Sequence, residues 1–221
     1  MTTFEALFSI AQVSIGALST LAAAFGGAWL AFRFESARRQ KERRDEEAEN
    51  FQRVVFLLGM QLNAIKQFVR DELNPHRGKE HREFWIPAVD FATPLDLFFV
   101  EFQGLAPMFR SEYMGFGADA VMGNARAVAL ADLVSRRQVL HVEEYQRQLR
   151  MASPPEDGGR TVEEITSICD GATLQQLKRY TDEMYELSEL TLETLDAALG
   201  KATEVILSRF KGYEFTVFRR L

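Results

Sequence analysis

The sequence predicts an all-α chain: a single N-terminal transmembrane helix that continues into a cytosolic helical bundle. Three observations predict it. Leu7 to Phe32 contains no charged residue, and the dozen positions after it are dense in charge. Apolar residues then recur at helical spacing through three long stretches. Pro and Gly punctuate those stretches, and period-2 alternation is confined to the tail.

The uncharged run of 26 residues makes a helix of about 39 Å at 1.5 Å per residue, enough to cross a hydrocarbon core of about 30 Å with tilt. It lacks the leading positive charge of a cleavable signal peptide, since only Glu5 precedes it. Arg33, Arg38, Arg39, Lys41, Arg43 and Arg44 all follow it. The positive-inside rule therefore expects a single pass through the cell inner membrane, with the N-terminus outside and the C-terminus cytoplasmic. Those six basic residues are candidates for contact with the membrane surface, where Trp29 and Phe32 are also expected.

Within this helix, 11 residues are large and apolar and the other 15 are Ala, Gly, Ser, Thr or Gln. Ser9, Gln12, Gly16, Ser19, Ala23 and Gly26 follow a 3-4-3-4-3 spacing, the seam of a heptad repeat. Leu7, Leu18, Leu21, Phe25 and Phe32 lie on the opposite side. Small residues let helix backbones approach closely, and Gln or Ser hydrogen-bonds between helices. With one span per chain the matching helix comes from another copy, so a homo-oligomer is expected. The stripe is a closed packing seam or the lining of a pore; Gln12 in mid-span asks for a partner or water.

Three parts follow: the span with its short outside tail (1–34), a charged helical stalk (35–50) and the cytosolic bundle (51–221). The helix is expected to run unbroken past the stalk, with Phe51, Val54, Leu58, Leu62, Ile65, Val69 and Leu73 on one face, until Pro75 ends it. From His76 to Phe91 the chain reads as irregular and aromatic. Thr93 and Pro94 open a short apolar helix to about Phe102. A long helix is expected from near Ala118 to Met151, with Gly115, Gly117 and Gly123 as a flexible entry. Pro154 to Gly159 is a loop, and Thr161 with Glu164 has capping-box spacing. After a break at Asp170-Gly171 the last helix runs from about Leu174 to Phe210, burying Leu177, Met184, Leu187, Leu195, Ala198, Ala202 and Val205. Tyr213 to Val217 alternates, as a short strand or a docking extension.

Composition narrows the function. The net charge is −6, and between Thr161 and Gly200 nine acids face only Lys178 and Arg179, which argues against a broad nucleic-acid surface. The lone Cys169 forms no intramolecular disulfide. No nucleophile-elbow, zinc-protease, phosphate-loop or Cys-x-x-Cys pattern occurs, so no catalytic, cofactor or metal residue is expected. His76, His81 and His141 fit no zinc spacing. Arg70 with His76 and Arg136 with His141 are similar in spacing to the Arg–His motif of HEPN-class helical ribonucleases, although 20 arginines and three histidines supply such pairs by chance.

In outline, one N-terminal span, a charged stalk and a helical body of this size resemble the bacterial membrane-anchored effectors of anti-phage defence. That resemblance implies a body that oligomerises or senses a cytosolic protein or small-molecule signal, and gathered spans that permeabilise the membrane. Two function classes stand: a homo-oligomeric pore-forming or membrane-perturbing effector, and a tethered scaffold or regulator whose span is an anchor alone.

Overall fold

Between Arg33 and Leu73 the chain has no Pro and a single Gly, Gly59, so nothing interrupts the backbone ladder. In the computed structural model, which describes residues 3–89, 113–154, 159–213 and 215, with side chains from residue 23 onward, helix α1 runs unbroken from Thr3 to Phe68. Among the described residues the chain is all-helical, without a strand. It divides into two units, Met1–Glu49 and Asn50–Leu221.

The first unit is helical from Thr3 onward. Ion pairs one turn apart brace its charged stretch: Arg38 Nε donates to Glu42 at 3.0 Å and Arg39 Nε to Glu35 at 2.9 Å. Such exposed pairs add little each, but they support a helix that has no apolar cover of its own.

In the second unit α1 packs against α3 (Met114–Val139) and α6 (Gly171–Arg209). Phe51 meets Phe116 at 5.1 Å between ring centroids and Gln61 donates to Asn124 at 2.7 Å, so α1 and α3 run parallel. Lys201 reaches Asp119 at 2.6 Å and Arg137 reaches Thr181 at 3.0 Å, so α6 is antiparallel to α3. Gly123 permits this approach: a Cβ there would lie 2.7 Å from Leu195 Cδ2. Gly117 and Gly123 are buried packing positions inside α3, and not the flexible entry expected of them. The helix opens at Met114 rather than near Ala118 because Phe116 already packs against Phe51.

Pro75 falls in a 3-10 turn, Asn74–His76, that follows a π-helical turn, Val69–Leu73. The wider turn takes one extra residue and rotates the apolar face. Phe68 and Leu73 are therefore buried while Val69 is only half-buried. A short helix α2 (Arg82–Trp85) forms in the loop after it. Another π-helical turn, Leu140–Tyr145, separates α3 from α4 (Gln146–Met151).

The capping box forms at the start of α5 (Val162–Ile168): the Glu164 amide donates to Thr161 Oγ1 at 3.2 Å and the Thr161 amide to Glu164 Oε2 at 2.8 Å. Asp170 is itself the cap of α6, accepting from the Thr173 amide at 2.9 Å, so that helix starts at Gly171 and not Leu174. Of its expected core face, Leu187 is half-buried and the other six are buried, joined by Thr181, Ser188 and Thr191. The expected helix from Thr93 to Phe102 lies outside the described residues, as does the interior of the Pro154–Gly159 loop. Of the expected tail strand, Tyr213 and Phe215 are described and neither is in a strand.

Candidate functional site

Two features stand out. The first is the exposed apolar stretch of α1. Every described side chain from Ala23 to Phe34 is exposed, including Phe25 (74%), Trp29 (59%), Phe32 (76%) and Phe34 (72%). Isolated apolar residues on a surface are ordinary, but a helix exposing them on all sides calls for lipid or another chain. The Arg33 guanidinium lies 5.3 Å from the Trp29 ring centroid, a cation–π contact at the boundary where charge begins. Arg38, Arg39, Lys41, Arg43 and Arg44 are exposed along the next turns. Of the small-residue stripe, Ala23 and Gly26 are exposed, and a Cβ on Gly26 would meet nothing within 4 Å. Ser9, Gln12, Gly16 and Ser19 lie outside the residues whose side chains are described. Among the described residues no helix is long and apolar enough to cross a membrane; the side chains of residues 7–22, most of the uncharged run, are outside that description.

The second feature is a buried arginine in the bundle, at the end where both π-helical turns occur. Arg137 is 1% exposed. Its Nε donates to Thr181 Oγ1 at 3.0 Å, its Nη1 to the Pro87 carbonyl at 2.9 Å, and its Nη2 to the Ile86 and Glu83 carbonyls at 2.8 and 3.1 Å. The guanidinium thus collects the carbonyls at and just beyond the C-terminus of α2, where a helix presents its negative end. Burial pushes Arg137 down to about 10, against the raising fields of Tyr185, Glu83 and Tyr145. One turn on, His141 is buried with Nδ1 unpartnered. Burial first, and the Arg137 charge second, push its imidazole down to about 4. Its ring centroid is 5.1 Å from that of Tyr145, whose hydroxyl burial pushes up to about 12. Across the bundle Tyr185 donates to the Leu73 carbonyl at 2.7 Å, with the Arg82 guanidinium 4.1 Å from its ring centroid. Arg82 in turn bonds Asp182 at 2.7 Å.

Chemically this arrangement is a tie. Four of the five guanidinium N–H groups are committed inside the core, to three main-chain carbonyls and the Thr181 hydroxyl, and a buried neutral imidazole is out of reach of a substrate. Neither Arg–His pair singled out in the sequence forms a shared cleft edge. Arg136 is exposed and held by Asp132, whereas His141 is buried. Arg70 is engaged with Asp71 at 2.7 Å, and His76 Nδ1 faces Lys79 Nζ at 3.2 Å. His81 is exposed with φ +53°, a left-handed conformation uncommon for a residue with a side chain. Among the described residues no group of three or more His, Cys, Asp or Glu is placed to hold a metal.

Sequence reasoning missed Arg137, although a signal existed: Leu130, Val134, Arg137 and His141 recur at helical spacing and put two polar residues on the core face of α3 and of the π-helical turn that continues it.

No protein-family model, curated protein or solved structure matches this chain.

Proposed function

We propose that the chain is a homo-oligomeric single-span membrane protein, a pore-forming or membrane-perturbing effector controlled by its helical body. The observation that carries this reading is the run of exposed apolar side chains from Ala23 to Phe34, with the Arg33 guanidinium on Trp29 where charge begins. It is the cytoplasmic end of an uncharged run long enough to span. The 3-4 spacing of Ser9, Gln12, Gly16, Ser19, Ala23 and Gly26 supports assembly through that segment, since an anchor alone has no use for ordered small residues. The outline likeness to membrane-anchored defence effectors agrees with it. The partners are the bilayer, further copies of the chain, and a cytosolic protein or small-molecule signal; the body, rather than a catalytic site, supplies the control.

The test is ion or dye flux through liposomes, read beside the oligomer mass of each variant, with a periplasm-only reporter fused after Leu221. Gln12→Leu should keep assembly and lower flux by drying the polar ring. Gly16→Leu should separate the helices, and Phe25→Leu should change little. Normal flux and mass in both Gln12→Leu and Gly16→Leu would remove the stripe's role and leave the tethered scaffold. A strong reporter signal would overturn the topology.

A further inference from the structure

One face of α3 is covered by nothing described in the chain. Its inner face, with Phe116, Ala120, Ala127, Leu130 and Val134, is buried in the bundle. On the outer face Met114, Val121, Val128 and Val139 are each at least 40% exposed, with Ala118 and Ala125 exposed between them. These positions, continued by Asp132 and Ser135, alternate steps of four and three residues along the whole helix. That is a second heptad seam, on a different helix from the apolar run, and its 26 residues make it about 39 Å long. Surface helices of a bundle normally carry charge there. Here the interval from Ala118 to Ala131 holds only Asp119 and Arg126 as charged residues, and both turn toward α6, bonding Lys201 and Thr194.

We infer that this face of α3 is where the body of one copy docks on the same face of a second copy, the two α3 helices lying side by side and parallel. This rests on the proposed self-assembly and names its cytosolic surface. Three observations favour a second copy over another occupant. A constant 3-4 repeat is self-complementary, because a straight stripe matches another straight stripe of equal period. Among the described residues the other helices of comparable length, α1 and α6, already bury their bundle stripes against α3, so neither can cover it. The one charged seam position, Asp132, already has its counter-ion in Arg136 one turn on, so pairing brings no unneutralised charge into the contact. A parallel pairing in register sets each valine against its own counterpart.

The experiment uses the full chain in native membranes with three single substitutions, Val121→Cys, Val128→Cys and, as control, Glu186→Cys on the exposed side of α6. Cys169 is buried, so the unsubstituted chain reports background. Under mild oxidation the two α3 variants should give disulfide-linked dimers at least tenfold above Glu186→Cys, and Val128→Glu should shift the detergent-solubilised mass downward with its melting unchanged. Rapid maleimide labelling of the introduced thiol in Val121→Cys and Val128→Cys, without dimers, would show an open face and overturn the inference. Protection without dimers would also overturn it, placing residues 90–112 or a different protein on the stripe. If the chain is oligomeric by mass yet neither reading moves, this surface is wrong and self-assembly stands. If the chain is monomeric throughout, both fall.

Discussion

His141 gives the body an acid sensitivity whose size follows from its burial. In the unfolded chain an imidazole titrates near 6.5, and in the folded bundle burial and the Arg137 charge push it down to about 4. Between those values the unfolded form binds the proton and the folded form does not, so stability is full above about pH 6.5 and falls as pH drops toward 4. At about 1.4 kcal/mol per tenfold the whole gap is worth about 3 kcal/mol, of which about 2 kcal/mol is lost between pH 7.5 and 5.0. The physical cost is a charged imidazolium with a buried, unpartnered Nδ1 one turn from a buried guanidinium. His76 is lowered in the same direction, first by burial and then by Lys79, and supplies a smaller background. The assay is urea unfolding of the detergent-solubilised chain at pH 7.5 and 5.0, for the wild type and for His141→Phe, whose ring keeps the packing against Tyr145. The wild type should lose about 2 kcal/mol more than the variant over that range. Equal losses would refute the reasoning, because the proton would then be taken up elsewhere.

Arg137→Met should destabilise the body by about 2–4 kcal/mol, the net of three main-chain carbonyls losing donors against removal of a desolvated charge. The segment 82–89 should gain amide exchange and protease cleavage before the rest; a melting point within a degree of wild type would contradict the tie. Gly123→Ala should cost about 1–2 kcal/mol, since overpacking against Leu195 outweighs the roughly 1 kcal/mol that Ala gains in a helix. A stabilised variant in thermal melting would show that α3 and α6 have room to part.

Much of this architecture is legible in the residues. The absence of Pro and the lone Gly59 determine that α1 continues past the stalk. Thr161 with Glu164 determines a capped helix start, because that box is closed by residues three apart and needs no tertiary contact. The apolar faces of α1 and α6 are set by a 3.6-residue period that any covering surface would select. The uncharged run followed by basic residues likewise carries the membrane expectation by itself.

Tertiary structure decided what depends on a partner helix. Whether Gly123 is a hinge or a contact turns on where Leu195 lies, 72 positions away in the chain. The exchange of Val69 for Phe68 on the core face comes from a π-helical turn, a one-residue phase shift that no local propensity marks. The core-face spacing of Arg137 says nothing of what would hold a charge there; the carbonyls of Glu83, Ile86 and Pro87 converge on it, while Arg136 beside it stays in solvent. A charge is tolerated in a core only where the fold delivers acceptors to it, and those acceptors come from a distant loop. The free stripe on α3 obeys the same logic in reverse. Periodicity marks two apolar faces on that helix, and only the packing of α1 and α6 against one of them leaves the other exposed.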